Sequence, residues 1–125
     1  MKVYADTSWW VAFKNARDAH HLEALSLWDA GEEVIVAWTP WQRVEVFNTM
    51  RQAERMGFLS SAGSVIRTLE NEVRLGYWPH VEFDWTDAVR TANELSAVHS
   101  RDLSIRAMDL FHVAIACEIG AELFL

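Results

Sequence analysis

The sequence predicts an α/β fold in which helices flank a central parallel sheet. Short apolar runs alternate with helical patterns along the whole chain, and a strong helix-start signal follows each of the first two runs. That alternation is typical of strand–helix–strand units, whose strands pair in parallel. No internal repeat or linker interrupts it, and 125 residues with 51% hydrophobic composition suffice for one core. We therefore expect a single domain over residues 1–125.

Local signals place each element. Asp6-Thr7-Ser8 follows the first apolar run and offers short oxygen side chains that accept the free N–H groups of a helix start. Thr39-Pro40-Trp41-Gln42 combines a capping box with proline at the first helical position. The remaining predicted N-caps are Asp18, Ser60 or Ser61, and Thr86. Predicted strands cover about 1–5, 33–38, 78–83 and 122–125, and predicted helices about 9–14, 18–31, 39–56, 61–76, 87–98 and 105–119.

Composition excludes several classes of protein. The net charge of −7 argues against a broad basic surface for non-specific nucleic-acid binding, although metal ions at acidic residues would offset part of it. Cys117 is the only cysteine, so an internal disulfide and a thiolate zinc cage are excluded. The first apolar run reaches Asp6 too early for a signal peptide, and no run approaches the ~18 apolar residues of a membrane span. We expect a cytoplasmic protein.

Three acidic residues stand where strands give way to helices or within the first turns of a helix. Asp6 ends the first strand, Glu45 lies in the second turn of the helix that begins near Thr39, and Asp109 opens an otherwise apolar helix. In an α/β fold such positions converge at the carboxyl edge of the sheet, where ligands bind. Clustered carboxylates there predict a site for a hard divalent cation.

Each acid also has a structural interpretation. Asp6 can simply cap the first helix, Glu45 can be solvated surface, and Asp109 can pair with Arg106 or take a capping role. His112 shares the helical face of Asp109, but a histidine on an apolar helix is more often a hydrogen-bonded core residue. Position alone leaves these alternatives open.

Three segments resemble the motifs of PIN domains. Val3–Ser8 (VYADTS) resembles their opening strand motif, Glu45–Asn48 (EVFN) the second motif and Arg106–Ala114 (RAMDLFHVA) the third. The resemblance extends over the whole chain, and the pattern is most similar to the VapC-like toxins of bacterial and archaeal toxin–antitoxin pairs.

The resemblance implies a three-layer α/β/α domain and a metal-dependent endoribonuclease. Asp6, Glu45 and Asp109 would be its catalytic residues and would hold one or two Mg²⁺ or Mn²⁺ ions. Thr7 or Ser8 would support a carboxylate by hydrogen bonding, and Asn48 would support Glu45. The resemblance further implies an RNA substrate, a homodimer and a cognate antitoxin.

The chain departs from the family at its C-terminal end. A fourth acid usually follows the last strand, and here no acid follows Glu122, which begins that strand at the end opposite the site. Asp102, in the loop before the last helix, is a candidate replacement. A catalytically weak PIN-like module that binds a partner protein is the alternative function. A response-regulator-like receiver is poorly supported, because such proteins need a lysine late in the chain and only Lys2 and Lys14 occur.

Overall fold

The computed structural model describes the backbone of residues 1–125 and every side chain except that at position 30. The strands are β1 (Lys2–Tyr4), β2 (Ile35–Val36) and β3 (Leu123–Phe124). The helices are α1 (Thr7–Lys14), α2 (His21–Leu25), α3 (Pro40–Arg55), α4 (Ala62–Arg74), α5 (Trp85–His99) and α6 (Ala107–Glu118), with a short 3-10 helix, Ser26–Ala30, after α2.

The three strands form one parallel sheet in the order β2-β1-β3. Val3 at its centre pairs with Val36 on one side and with Leu123 on the other. Because all three strands run in the same direction, their carboxyl ends share one edge of the sheet. The predicted α/β class with a parallel sheet is therefore confirmed.

Alternation along the central strand separates two cores. Val3 and Ala5 belong to a buried cluster with Trp10 and Val46 of α1 and α3, whereas Tyr4 belongs to a second cluster with residues of α5 and α6. Successive side chains of a strand point to opposite faces, so β1 contributes to both cores. The result is a three-layer arrangement with α1, α3 and α4 on one face and α5 and α6 on the other.

The helix that carries Glu45 begins as the sequence predicts. The Thr39 side chain accepts from the backbone N–H of Gln42, and the Gln42 side chain accepts from the backbone N–H of Thr39, which completes a capping box with Pro40 in the first turn. Both side chains are buried. Their mutual hydrogen bonds satisfy two buried N–H donors that would otherwise have no partner. The start of α3 is therefore fixed against the sheet.

Three local predictions are wrong. Residues 78–83 form a single parallel bridge between Trp38 and His80 rather than a strand, because the neighbouring Pro79 has no N–H to extend the ladder. Helix α5 is capped by Asp84, not Thr86, since Asp84 accepts from the backbone N–H of Asp87 at 2.9 Å.

The region predicted as a helix over 18–31 is divided. Asp18 turns its side chain back onto the backbone N–H of His20 at 2.8 Å instead of capping a helix, and α2 begins only at His21. A local side chain–backbone bond of this kind competes with helix formation. Two short helical pieces therefore replace one long helix.

None of the helices in the described part of the chain combines the length and the hydrophobicity needed to cross a membrane.

Candidate active-site groove

An acidic groove opens at the carboxyl edge of the sheet. Its volume is about 910 Å³, and five carboxylates line it. They are Asp6, Asp18, Glu23, Glu45 and Asp109. All three acids predicted from the sequence thus face one groove, although they come from β1–α1, α3 and α6.

Asp6 both caps a helix and lines the groove. It lies two residues beyond β1, and its Oδ1 accepts hydrogen bonds from the backbone N–H of Trp9 at 3.0 Å and from Ser8 Oγ at 2.7 Å. The bonds that cap α1 hold one oxygen and leave Oδ2 without a partner among the described residues. The capping interpretation and the site interpretation of Asp6 are therefore compatible.

Glu45 is held by side chains from two other elements. Its Oε2 accepts from Thr7 Oγ1 of α1 at 3.0 Å and from the Nε2 of His112 of α6. The side chain of Glu45 is 25% exposed and that of His112 only 6%, so the bond lies at the floor of the groove. The solvated-surface interpretation of Glu45 is wrong.

Behind His112 lies a buried tyrosine. Tyr4 Oη is 2.6 Å from His112 Nδ1, and both residues are almost fully buried. Burial raises the pKa of the Tyr4 phenol well above its ordinary value, the side chain of Thr39 lowers it in part, and the nearby charges of Glu45 and Asp6 raise it further. Tyr4 therefore keeps its proton.

Asp109 is the most open of the three acids. It lies in the first turn of α6, one turn before His112, and its side chain is exposed to the groove. Among the described side chains it forms no ion pair with Arg106. Its position in the first turn is favourable because the free N–H groups of a helix start stabilise negative charge.

Gln42 couples the two segments that carry Asp6 and Glu45. Its Nε2 donates to the backbone carbonyl of Ala5 at 2.5 Å, and its Oε1 accepts from the backbone N–H of Thr39 at 2.7 Å. Ala5 directly precedes Asp6, and Glu45 lies one turn after Gln42. The buried amide therefore fixes the start of α3 relative to the end of β1.

Comparison with known proteins bears on the fold. No family model matches the sequence, and no curated protein sequence matches it. Among solved structures the chain is similar to Mycobacterium tuberculosis VapC20, a sarcin–ricin loop cleaving toxin, with 21% identity and a TM-score of 0.68 over 98% of this chain and 86% of that one. The protein has the fold of that toxin. The PIN-like fold expected from the three motifs is thereby confirmed.

Several other residues of the PIN-like fold lie away from the groove. Asn48 is exposed and makes no hydrogen bond to Glu45 among the described side chains, so the expected support comes from Thr7 instead. Asp102 lies in an exposed turn and does not line the groove. Glu122 accepts from the backbone N–H of Lys2 at 2.8 Å, at the opposite end of the sheet.

Trp41, one turn before Glu45, does not line the groove. Its ring packs edge-on against Trp85 and Phe111, on the α5–α6 side of the PIN-like fold. It contributes to the core rather than to the site.

Sequence reasoning missed Tyr4 and Gln42, and it gave His112 only a weak role. The signal for Tyr4 was strand alternation, because a residue two before Asp6 points to the same face as Asp6. The signal for Gln42 was its place in the capping box, which shows that its side chain turns inward. Neither signal predicts the partner, His112 for Tyr4 or Ala5 for Gln42, because the partner is distant in sequence.

The donor set fits a hard divalent cation in its chemistry. Asp6 Oδ2, Glu45 Oε1 and both oxygens of Asp109 have no hydrogen-bond partner among the described residues, and carboxylate oxygens are the ligands that Mg²⁺ and Mn²⁺ prefer. Within the described side chains, however, no three acidic, histidine or cysteine residues lie close enough to hold one ion together.

Proposed function

We propose that this protein is a metal-dependent endoribonuclease that hydrolyses RNA phosphodiester bonds as the toxin of a type II toxin–antitoxin pair. One observation supports the proposal most: Asp6, Glu45 and Asp109, which are distant in sequence, line the same groove at the carboxyl edge of a PIN-like sheet. The structural likeness to a toxin that cleaves the sarcin–ricin loop is a second support.

The charge of the groove indicates that a cation must accompany a nucleic-acid substrate. Five carboxylates line it, and no lysine or arginine is among its described lining residues. A phosphodiester that approaches that wall would be repelled by several negative charges. Divalent cations bound at the carboxylates would reverse the sign of this interaction.

Asp6, Glu45 and Asp109 would hold Mg²⁺ or Mn²⁺. When bound, such an ion supplies an activated water and stabilises the charge that develops on the phosphate. The protein's own contribution is to hold the ligands: Ser8 fixes one oxygen of Asp6, and Thr7 and His112 fix one oxygen of Glu45. Fixed ligands lose little freedom when a cation binds.

We further propose that the protein works in the cytoplasm as a homodimer, and that a cognate antitoxin covers the acidic groove. These proposals rest on the PIN-like fold and on the resemblance of the three motifs to VapC-like toxins.

Isosteric removal of single charges tests the nuclease proposal. Asp6→Asn and Asp109→Asn should each lower metal-dependent RNA cleavage by about 100-fold or more, because each removes one ligand charge. Asparagine is as good an N-cap as aspartate, so Asp6→Asn should retain the fold. Circular dichroism and RNA cleavage in Mg²⁺, with and without chelator, are the measurements.

Asp102→Asn is the matched control, because Asp102 is an exposed acid outside the groove. It should cleave as the parent does. An Asp6→Asn variant that cleaved RNA at the parental rate would contradict the proposal that Asp6 is a catalytic metal ligand.

The alternative function is a catalytically weak module that binds a partner protein. The observation that favours it is the separation of the acids, since no three of the described metal-ligating side chains form a common site. Calorimetry with Mg²⁺ and Mn²⁺ separates the two functions. Saturable binding that Asp6→Ala abolishes supports the nuclease, and no binding at millimolar metal supports the module.

A further inference from the structure

A buried hydrogen-bond chain runs from the core to Glu45. It begins at the Tyr4 hydroxyl on β1, passes through both ring nitrogens of His112 on α6 and ends at Glu45 Oε2 on α3. The three residues come from three elements, with sequence separations of 108 and 67 residues between the bonded pairs. Nothing in the proposed chemistry requires the tyrosine or the histidine to touch RNA or a metal.

The direction of the bond to Glu45 follows from the chemistry of the groups. An ionised carboxylate only accepts, so His112 Nε2 must carry the proton that it shares with Glu45. The second ring nitrogen, Nδ1, is bonded to the Tyr4 hydroxyl, so the ring is held at both of its nitrogens. The Tyr4 hydroxyl thus anchors the ring whose Nε2 holds Glu45.

A second donor acts on the same carboxylate oxygen. Thr7 Oγ1 of α1 donates to Glu45 Oε2 at 3.0 Å. With Oε2 held by two donors, rotation of the carboxylate is restricted, and Oε1 is the oxygen left without a partner among the described residues. A ligand that approaches Glu45 therefore meets one oxygen in one orientation.

We propose that Tyr4 and His112 are positioning residues, which hold the carboxylate of Glu45 in a single orientation for cation binding. The inference rests on the proposed function for the identity of the ligand, but the hydrogen-bond chain exists without it. Outer groups that orient a ligating side chain typically change metal affinity or activity about 10- to 100-fold when removed.

The chain offers closely matched variants. Tyr4→Phe removes only the hydroxyl, and His112→Phe retains an aromatic ring of similar size but removes both nitrogens. Tyr77→Phe is the control for the tyrosine change, because Tyr77 is the other of the two tyrosines and is 68% exposed. His99→Phe, at the exposed end of α5, is the control for the histidine change.

The first measurement uses the metal-free protein and is independent of nuclease activity. Nitrogen-15 spectra should show a proton on His112 Nε2, and Tyr4→Phe should shift the Nδ1 resonance by removing its hydrogen-bond partner. The carboxyl carbon-13 signal of Glu45 should shift in Tyr4→Phe and not in Tyr77→Phe. An Nε2 without a proton in the parent, or an unchanged Glu45 signal in Tyr4→Phe, would overturn the inference.

The second measurement is Mn²⁺ affinity by electron paramagnetic resonance. We expect the dissociation constant to rise about 10-fold or more in His112→Phe and by a smaller factor in Tyr4→Phe, with both controls at the parental value. Folded variants of Tyr4 and His112 with parental Mn²⁺ affinity would contradict a positioning role. A parent that binds no Mn²⁺ would defeat both the proposed function and the cation-positioning role, whereas Mn²⁺ binding without RNA cleavage would defeat only the former.

Discussion

Replacing Gln42 by methionine should destabilise the protein more than any other single change of polarity in α3. Methionine has nearly the length and volume of glutamine, so the substitution removes hydrogen bonds without opening a cavity. Gln42 is fully buried and binds the carbonyl of Ala5 and the N–H of Thr39 through its side chain. Neither backbone group has another partner among the described residues.

The magnitude follows from the two groups left behind. A buried donor or acceptor without a partner costs about 1–3 kcal/mol, so two of them cost roughly 2–6 kcal/mol, less the gain from burying an apolar side chain. We expect the free energy of unfolding to fall by about 3 kcal/mol. For a chain of this size that corresponds to a decrease in Tm of roughly 10–15 °C.

Urea unfolding followed by circular dichroism measures the effect. The control is Gln52→Met, which makes the same chemical change on the exposed side of the same helix. We expect it to leave stability within about 0.5 kcal/mol of the parent. If Gln42→Met were as stable as Gln52→Met, Gln42 would not join α3 to the end of β1 as we infer.

Three further predictions concern single positions. Because burial raises the Tyr4 pKa, the folded state favours the neutral phenol, so the associated stability is complete below the ordinary pKa of about 10 and is lost as the pH rises above it. In Tyr77→Phe, Tyr4 is the only tyrosine, and an ultraviolet titration should show no ionisation near pH 10 while the protein stays folded. A normal titration near pH 10 would contradict burial of the phenol. Asp84→Ala should lower the free energy of unfolding by about 1 kcal/mol through loss of the α5 cap, and Thr86→Ala should lower it by less than half of that in the same denaturation assay. The reverse order would show that Thr86 is the cap, as the sequence predicts. Gly57→Ala should lower the free energy of unfolding by about 1 kcal/mol, because its φ of +80° is unfavourable for a residue with a side chain. No neighbouring atom lies within 4 Å of the added carbon, so backbone strain is the only expected cost, and an unchanged Tm would contradict it.

Local sequence signals predict much of this fold. The capping box at Thr39 and the proline after it place the start of α3 at the right residue, because the groups that satisfy a helix start are neighbours in the chain. Asp6 is found beyond a strand and at a helix start for the same reason. The errors at Thr86 and at 78–83 have local causes: Asp84 is a competing cap two residues earlier, and Pro79 lacks the N–H that a longer ladder needs.

The candidate site was likewise predictable only in part. Position and the three motifs both point to its three acids, since the carboxyl ends of parallel strands lead to one edge, and the groove contains all three. Whether they bind a cation stays a prediction. The resemblance leads us to expect Asn48 beside Glu45 and Thr7 or Ser8 beside a carboxylate. In the structure Thr7 and His112 hold Glu45, and Ser8 holds Asp6.

The sequence by itself determined the alternation of strands and helices, the faces that they bury and the three carboxylates that point to one edge, because each of these depends on residues within a few positions of one another. Only the tertiary structure decided that Tyr4, His112 and Glu45 form one hydrogen-bonded chain. The bonded pairs are 108 and 67 residues apart, so their meeting depends on how the sheet and α6 pack rather than on any local preference. Each of these side chains, taken alone, could be an ordinary core or surface residue. The hydrogen bonds between them form only when the three elements pack together.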